Sequence, residues 1–241
     1  MDSVTLSILL IIFIASAIRS AFGFGESLIA VPLLALFIPI NVAVPITVLV
    51  SITIAVIVTF TDWSEIHYQS AKRLILSTLF GTPFGLLLLN FENEKITKVI
   101  LGIIIIFFSI YSILRKNDGR KRIVHTGWSY GAGFIAGLLG GAFGMNGPPL
   151  VLYASIKGWS RQRFRATLHA YFLPASLIGM VGYWKIGLWT ETVTHYYLLS
   201  LIVVIPAIFI GKAINNTLSE KVFKKGIFLS LIAIGALLIF T

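Results

Sequence analysis

Ala21-Phe22-Gly23-Phe24-Gly25 and Ala142-Phe143-Gly144-Met145-Asn146-Gly147 are two versions of one phrase, set about half a chain apart. Each interrupts a hydrophobic segment. Glycine is costly inside a helix because it gives up the most backbone freedom on folding. In a bilayer, non-helical backbone is tolerated only where it is buried in protein or lines a cavity. Paired breaks at corresponding places in two halves point to a transporter whose site lies between the halves.

The surrounding composition is that of a membrane protein. Hydrophobic residues make up 57% and charged residues 12% of the 241 positions, where a soluble domain carries about 25% charge. The net charge of +10 is not a nucleic-acid footprint, because the charges sit in short stretches between apolar runs. With no cysteine, disulfides and thiolate metal sites are excluded. Residues 1–18 lack a basic leader region, so no cleavable signal peptide is expected.

Apolar runs occupy approximately residues 3–22, 27–38, 42–60, 74–90, 96–114, 124–141, 147–156, 166–184, 194–211 and 222–241. Most approach the ~20 residues of a spanning helix, and the two that follow the glycine breaks are short. Lys and Arg concentrate in 115–122, 157–165 and 212–225, which marks those stretches as cytoplasmic. Since 115–122 and 157–165 share a side, the broken segment between them enters and leaves on that side as a hairpin. Three further spans then put the C-terminus outside, and the same count puts the N-terminus outside. An odd number of crossings per half makes the repeats inverted. The expected fold is all-α and integral to the membrane, with two inverted repeats at 1–115 and 124–241 joined by a basic cytoplasmic connector at 116–123. Each repeat is a glycine-broken helical hairpin followed by three transmembrane helices.

The repetition extends past the glycines. Asn93-Glu94-Lys95 matches Ser219-Glu220-Lys221 before the last helix of each half, Gly85 matches Gly211, and Ile46-Thr47-Val48 matches Ala166-Thr167-Leu168. With the prolines that follow the breaks (Pro32; Pro148 and Pro149), these features resemble the sulfite exporter TauE/SafE family of membrane permeases over essentially the whole chain. The resemblance implies transport of small organosulfur anions such as sulfite, sulfoacetate or related sulfonates.

Several residues carry candidate chemistry. Gly23, Gly25, Gly144 and Gly147 let a ligand touch backbone, and the short helices behind them point N-terminal amides at an anion. The alternative is that they only permit a tight hairpin and close packing. Asn146 is a donor for an oxyanion. Arg19 lies inside the first apolar run, where a charge costs ~2.5 kcal/mol or more. It either binds the substrate's oxygens or pairs with Glu26. Glu26 is either a proton carrier or a cap on the helix behind the break. His169 is a proton relay or a satisfied interhelical hydrogen bond. Thr47 and Thr167 offer hydroxyls to the site. Arg161, Arg163 and Arg165 either concentrate anions at the inner mouth or only set topology. Trp63, Trp128, Trp159, Trp184 and Trp189 fall where an aromatic belt belongs.

These features describe a proton-coupled secondary transporter in a bacterial inner membrane, working by alternating access, with an anion channel as the competing reading. No enzymatic motif, nucleotide loop or metal-ligand spacing is visible, so no cofactor is expected. The expected partners are a small anion and membrane lipid, not nucleic acid, with a homodimer left open. Single cysteines test the topology. A membrane-impermeant thiol reagent applied from outside should label positions near Asn93 and Thr190 and spare Gly119 and Ser160. Strong outside labelling at Ser160 overturns the inverted arrangement.

Overall fold

Hydrophobic length and the glycine breaks together set the elements. A computed structural model describes residues 3–59, 66–90, 93–114, 127–159, 161–214 and 220–240. The described residues form ten helices and no strand. They are α1 (Ser3–Phe22), α2 (Glu26–Leu34), α3 (Ile40–Thr59), α4 (Tyr68–Leu89), α5 (Glu94–Leu114), α6 (Gly127–Phe143), α7 (Gly147–Ile156), α8 (Arg161–Lys185), α9 (Glu191–Ile214) and α10 (Glu220–Phe240). By length and composition, α1, α3, α4, α5 and α9 are able to cross a membrane. Their uncovered faces are apolar, as with Phe80 and Leu87 on α4, Phe107 on α5 and Phe209 on α9. A hydrocarbon solvent tolerates such faces and water does not.

Apolar runs understate two of the helices. The first turn of α8 is Arg161-Gln162-Arg163-Phe164 and lies upstream of the apolar run at 166. α4 begins at Tyr68 rather than 74. Arg, Gln and Lys are good helix formers, so hydrophobicity marks where a helix becomes apolar and not where it begins. α8 instead starts shortly after Gly158, which has a φ of 62°. α5 begins as expected behind Asn93, whose Oδ1 accepts from the Ile96 N–H at 3.2 Å. The basic stretch 115–122, Trp63 and the side chains of Arg161, Arg165 and 220–225 lie outside what the structure describes. Trp128, Trp184 and Trp189 are exposed at helix ends. Trp159 packs against His67 and Tyr153.

The helices pair reciprocally. α4 packs on α6, α9 on α1, α5 on α10, and α3 crosses α8, with further contacts of α4 on α8 and of α3 on α9. The closest seams are backbone on backbone. A methyl group at Gly81, Gly85, Gly137 or Gly141 would overlap a carbonyl of the facing helix in the α4–α6 pair, and one at Gly211 would overlap the Ala17 carbonyl of α1. Gly85, the sequence match of Gly211, faces the Leu138 carbonyl of α6. Leu138 stands to Gly144 as Ala17 stands to Gly23 in the sequence. A polar tie crosses the same region: Thr78 of α4 donates to the Gly133 carbonyl of α6 at 2.9 Å and meets the Tyr171 hydroxyl of α8 at 2.6 Å.

Small residues at such crossings allow the close approach on which helix association in lipid depends. Gly137→Ala is therefore expected to destabilise the protein by about 1–3 kcal/mol, the range for overpacking. Gly131→Ala, where the added methyl meets open space, should be silent. Thermal unfolding of both in detergent checks this, and equal stability of the two variants contradicts the close seam.

Candidate functional site

Each glycine phrase ends one helix and starts the next. The Gly23 N–H bonds the Arg19 carbonyl at 2.6 Å as α1 finishes, and the left-handed Gly23 (φ 83°) and Gly25 (φ 102°) turn the chain. Gly25 is the N-cap of α2 and has no side chain with which to cap it. In the second phrase the Gly144 N–H bonds the Gly140 carbonyl at 2.8 Å and Gly144 turns at φ 65°. Tyr183 of α8 donates to the Gly140 and Gly141 carbonyls at 2.8 and 3.1 Å, covering acceptors near the end of α6.

The two phrases meet. A methyl on Gly147 would lie 3.6 Å from the Phe24 ring, and one on Gly144 would lie 3.7 Å from the Ser27 hydroxyl. Between them is a cavity of about 20 Å³, lined by Arg19, the 24–28 and 144–148 segments, Ser51 of α3 and Phe172 of α8. That is room for about one water molecule.

Arg19 dominates this cavity. It is 2% exposed. Its Nη1 donates to Glu26 Oε2 and to Ser51 Oγ, and Phe172 stacks with its ring centroid 4.9 Å from the guanidinium carbon. Ser176 of α8 approaches Ser51 at 3.4 Å. The Arg19 Nε and Nη2 atoms, buried as deeply, have no hydrogen-bond partner among the described residues, and neither does Glu26 Oε1. Nε and Nη2 form the side edge of a guanidinium, the fork that grips two oxygens of one planar or pyramidal anion. The α2 and α7 N-termini line the same cavity and bring partial positive charge to it, although Pro148 and Pro149 have no N–H and leave the first turn of α7 with fewer donors than α2.

A model of the family described as sulfite exporter TauE/SafE matches residues 8–238. The chain belongs to that family. No curated protein and no solved structure matches it. Membership makes it a membrane transport protein for sulfite-type sulfur anions, and the break cavity of this TauE/SafE chain is lined by the buried Arg19, Glu26 and Asn146.

Of the residues singled out in the sequence, Arg19, Gly25, Glu26, Gly144, Asn146 and Gly147 line the cavity. Gly23 shapes the first turn without lining it. The structure places three others elsewhere. The Thr47 hydroxyl donates to the Ala43 carbonyl of its own helix at 2.8 Å, and Ser51, one turn further along, takes the position beside Arg19. The Thr167 hydroxyl accepts from the His67 N–H at 3.0 Å and lies outside the cavity lining. His169 is buried on α8 and does not line the cavity. Near Thr167, partial burial and then the Lys157, Arg163 and Arg73 cations hold the His67 imidazole below its ordinary value. Arg163 is thus placed near the α4 start. Ser27, Ser51, Phe24 and Phe172 were not singled out. For Ser51 the available signal was its one-turn spacing from Thr47.

The ion pair should show in stability. Arg19→Ala leaves the Glu26 carboxylate buried without a counter-charge, at a cost of about 3–5 kcal/mol. The Arg19→Met/Glu26→Gln double variant removes both charges and should recover most of that loss in thermal unfolding. Arg19→Ala as stable as wild type contradicts a buried pair.

Proposed function

We propose that this TauE/SafE protein is a secondary transporter of small organosulfur anions (sulfite, sulfoacetate or related sulfonates) whose binding site is the cavity between the glycine breaks. The unpartnered Nε–Nη2 edge of Arg19 carries this reading. A buried cation with a two-pronged donor edge is matched by an oxyanion with at least two equivalent oxygens, and a sulfonate or sulfite group supplies them. Asn146 and the backbone at Gly25 and Gly147 complete the lining. Thr47 and Thr167 support the helices around the site rather than touch substrate.

The protein works by alternating access in a bacterial inner membrane, with halves at 1–115 and 124–241 as inverted repeats joined at 116–123. Two observations support this. Matched elements make matched contacts, α4 on α6 and α9 on α1, down to the pairing of Gly85 with Leu138 and of Gly211 with Ala17. A cavity of about 20 Å³ is smaller than any sulfonate, so loading requires helices to move, which suits a transporter better than a standing pore. A proton gradient drives the cycle. Glu26 suits the proton role better than His169, because only Glu26 lines the cavity.

Arg19→Lys keeps the charge and loses the fork. Calorimetric binding of sulfite, sulfoacetate and isethionate should weaken by roughly ten- to a hundredfold in this variant, as expected for loss of a charged hydrogen bond. Undiminished affinity in folded Arg19→Lys protein removes Arg19 from the site.

A further inference from the structure

We infer that the cavity takes up one anion and one proton together, the anion on the Nε–Nη2 edge of Arg19 and the proton on Oε1 of Glu26. This rests on the reading of the cavity as an anion site. It goes further by fixing what moves with the anion and which atoms hold each particle.

The bonding inventory leads to it. Arg19 uses Nη1 for both of its protein bonds, to Glu26 Oε2 and Ser51 Oγ, and keeps Nε and Nη2 without partners among the described residues. Glu26 uses Oε2 for Arg19 and keeps Oε1 without one. An anion therefore reaches the guanidinium without displacing Glu26. A proton reaches Glu26 without breaking the Arg19 contact, because Oε2 of a neutral carboxyl still accepts. The two particles do not compete for any atom.

Charge makes them cooperate. The Arg19–Glu26 pair is neutral as it stands. A monoanion on Arg19 brings the buried cluster to one net negative charge, and a second anion across a shared cation raises a carboxyl's proton affinity. Arg19 stays charged throughout, so the adjustment falls on Glu26. A proton taken up from bulk solution, entering when the helices move to admit the anion, restores neutrality. Conversely, a proton on Glu26 alone leaves Arg19 uncompensated and strengthens its hold on an anion. By linkage each raises the affinity of the other by the same factor.

No other described group near Glu26 is placed to take this proton. α3 presents Ser51, the second break and α7 present Asn146, Gly147 and Pro148, and α8 presents Phe172. Among the described residues, Arg19 is the one cation that pairs with Glu26. His169 lies on α8 outside the lining. On α5, which also packs on α2, Glu94 and Lys98 pair with each other at 3.2 Å. The charged residues at 220–225 of α10 have no described side chains. The consequence is a neutral load, in which a monoanion crosses with one proton and no net charge.

The test is a proton count on the full chain in detergent. Isethionate and methanesulfonate stay ionised across the working pH range, so any proton taken up belongs to the protein. Their binding is measured calorimetrically near neutral pH in two buffers of different ionisation enthalpy. Wild type should take up close to one proton per anion, and its affinity should fall about tenfold for each pH unit of rise in the linked range. Glu26→Gln, which resembles the protonated form, should take up none and bind without pH dependence. Anion binding by wild type with no proton uptake overturns the inference and leaves the anion site standing. Undiminished uptake in Glu26→Gln also overturns it. Failure of wild type to bind isethionate, methanesulfonate and sulfite alike removes the anion site and this inference with it. Should Glu26→Gln not fold, His169→Gln takes its place, with undiminished uptake expected and loss of uptake overturning the assignment to Glu26.

Discussion

A guanidinium buried in an apolar helix bundle needs a counter-charge, and much of the site architecture follows from supplying one to Arg19. In an unbroken helix Glu26, seven residues on, would stand about 10.5 Å further along the same face, out of reach. Two left-handed glycines fold α2 back so that its first residue meets the last turn of α1. α3 then contributes Ser51 and α8 lays Phe172 over the cation. The glycine break is thus what makes the ion pair geometrically available, and it also leaves backbone N–H groups uncapped beside it.

The second break repeats the geometry without the charge. Gly140 occupies in the second half the place that Arg19 occupies in the first, and a methyl there would run into the Asn146 side chain. Gly147 stands where Glu26 stands. A scaffold with matched packing therefore encloses a site with one cation and one carboxylate, both from the same half. The second half supplies shape, an amide and a helix N-terminus. That single cation is already matched by the carboxylate.

The features legible in the sequence were those that violate the membrane's rules. A glycine cluster, an arginine and a glutamate inside apolar runs each carry a cost that invites explanation, and all three meet in one cavity. The pairing of Arg19 with Glu26 uses Nη1 and leaves Nε and Nη2 without a partner among the described residues, so it does not exclude the proposed role of Arg19 as an anion binder. What was not legible is what costs nothing. Serine and phenylalanine are at home in such helices, so Ser51 and Phe172 gave no signal. Thr47 shows the opposite trap, since a helical threonine commonly satisfies its hydroxyl on the carbonyl one turn back. The pairing of α4 with α6 across the two halves was hidden too, because its closest contacts are glycine against carbonyl rather than a pattern of side chains.

That seam has a further consequence for how the protein assembles. Burying long side chains between helices freezes their rotamers, at up to about 1.5–2 kcal/mol each. The closest approaches of α4 and α6 are made by Gly81, Gly85, Gly137 and Gly141 against main-chain atoms, and glycine has no rotamers to lose. Helices already inserted in the bilayer then give up mainly rigid-body freedom when they dock. The entropy that a larger residue would have lost at the seam was never present, which lets a contact with little hydrophobic drive behind it form at all.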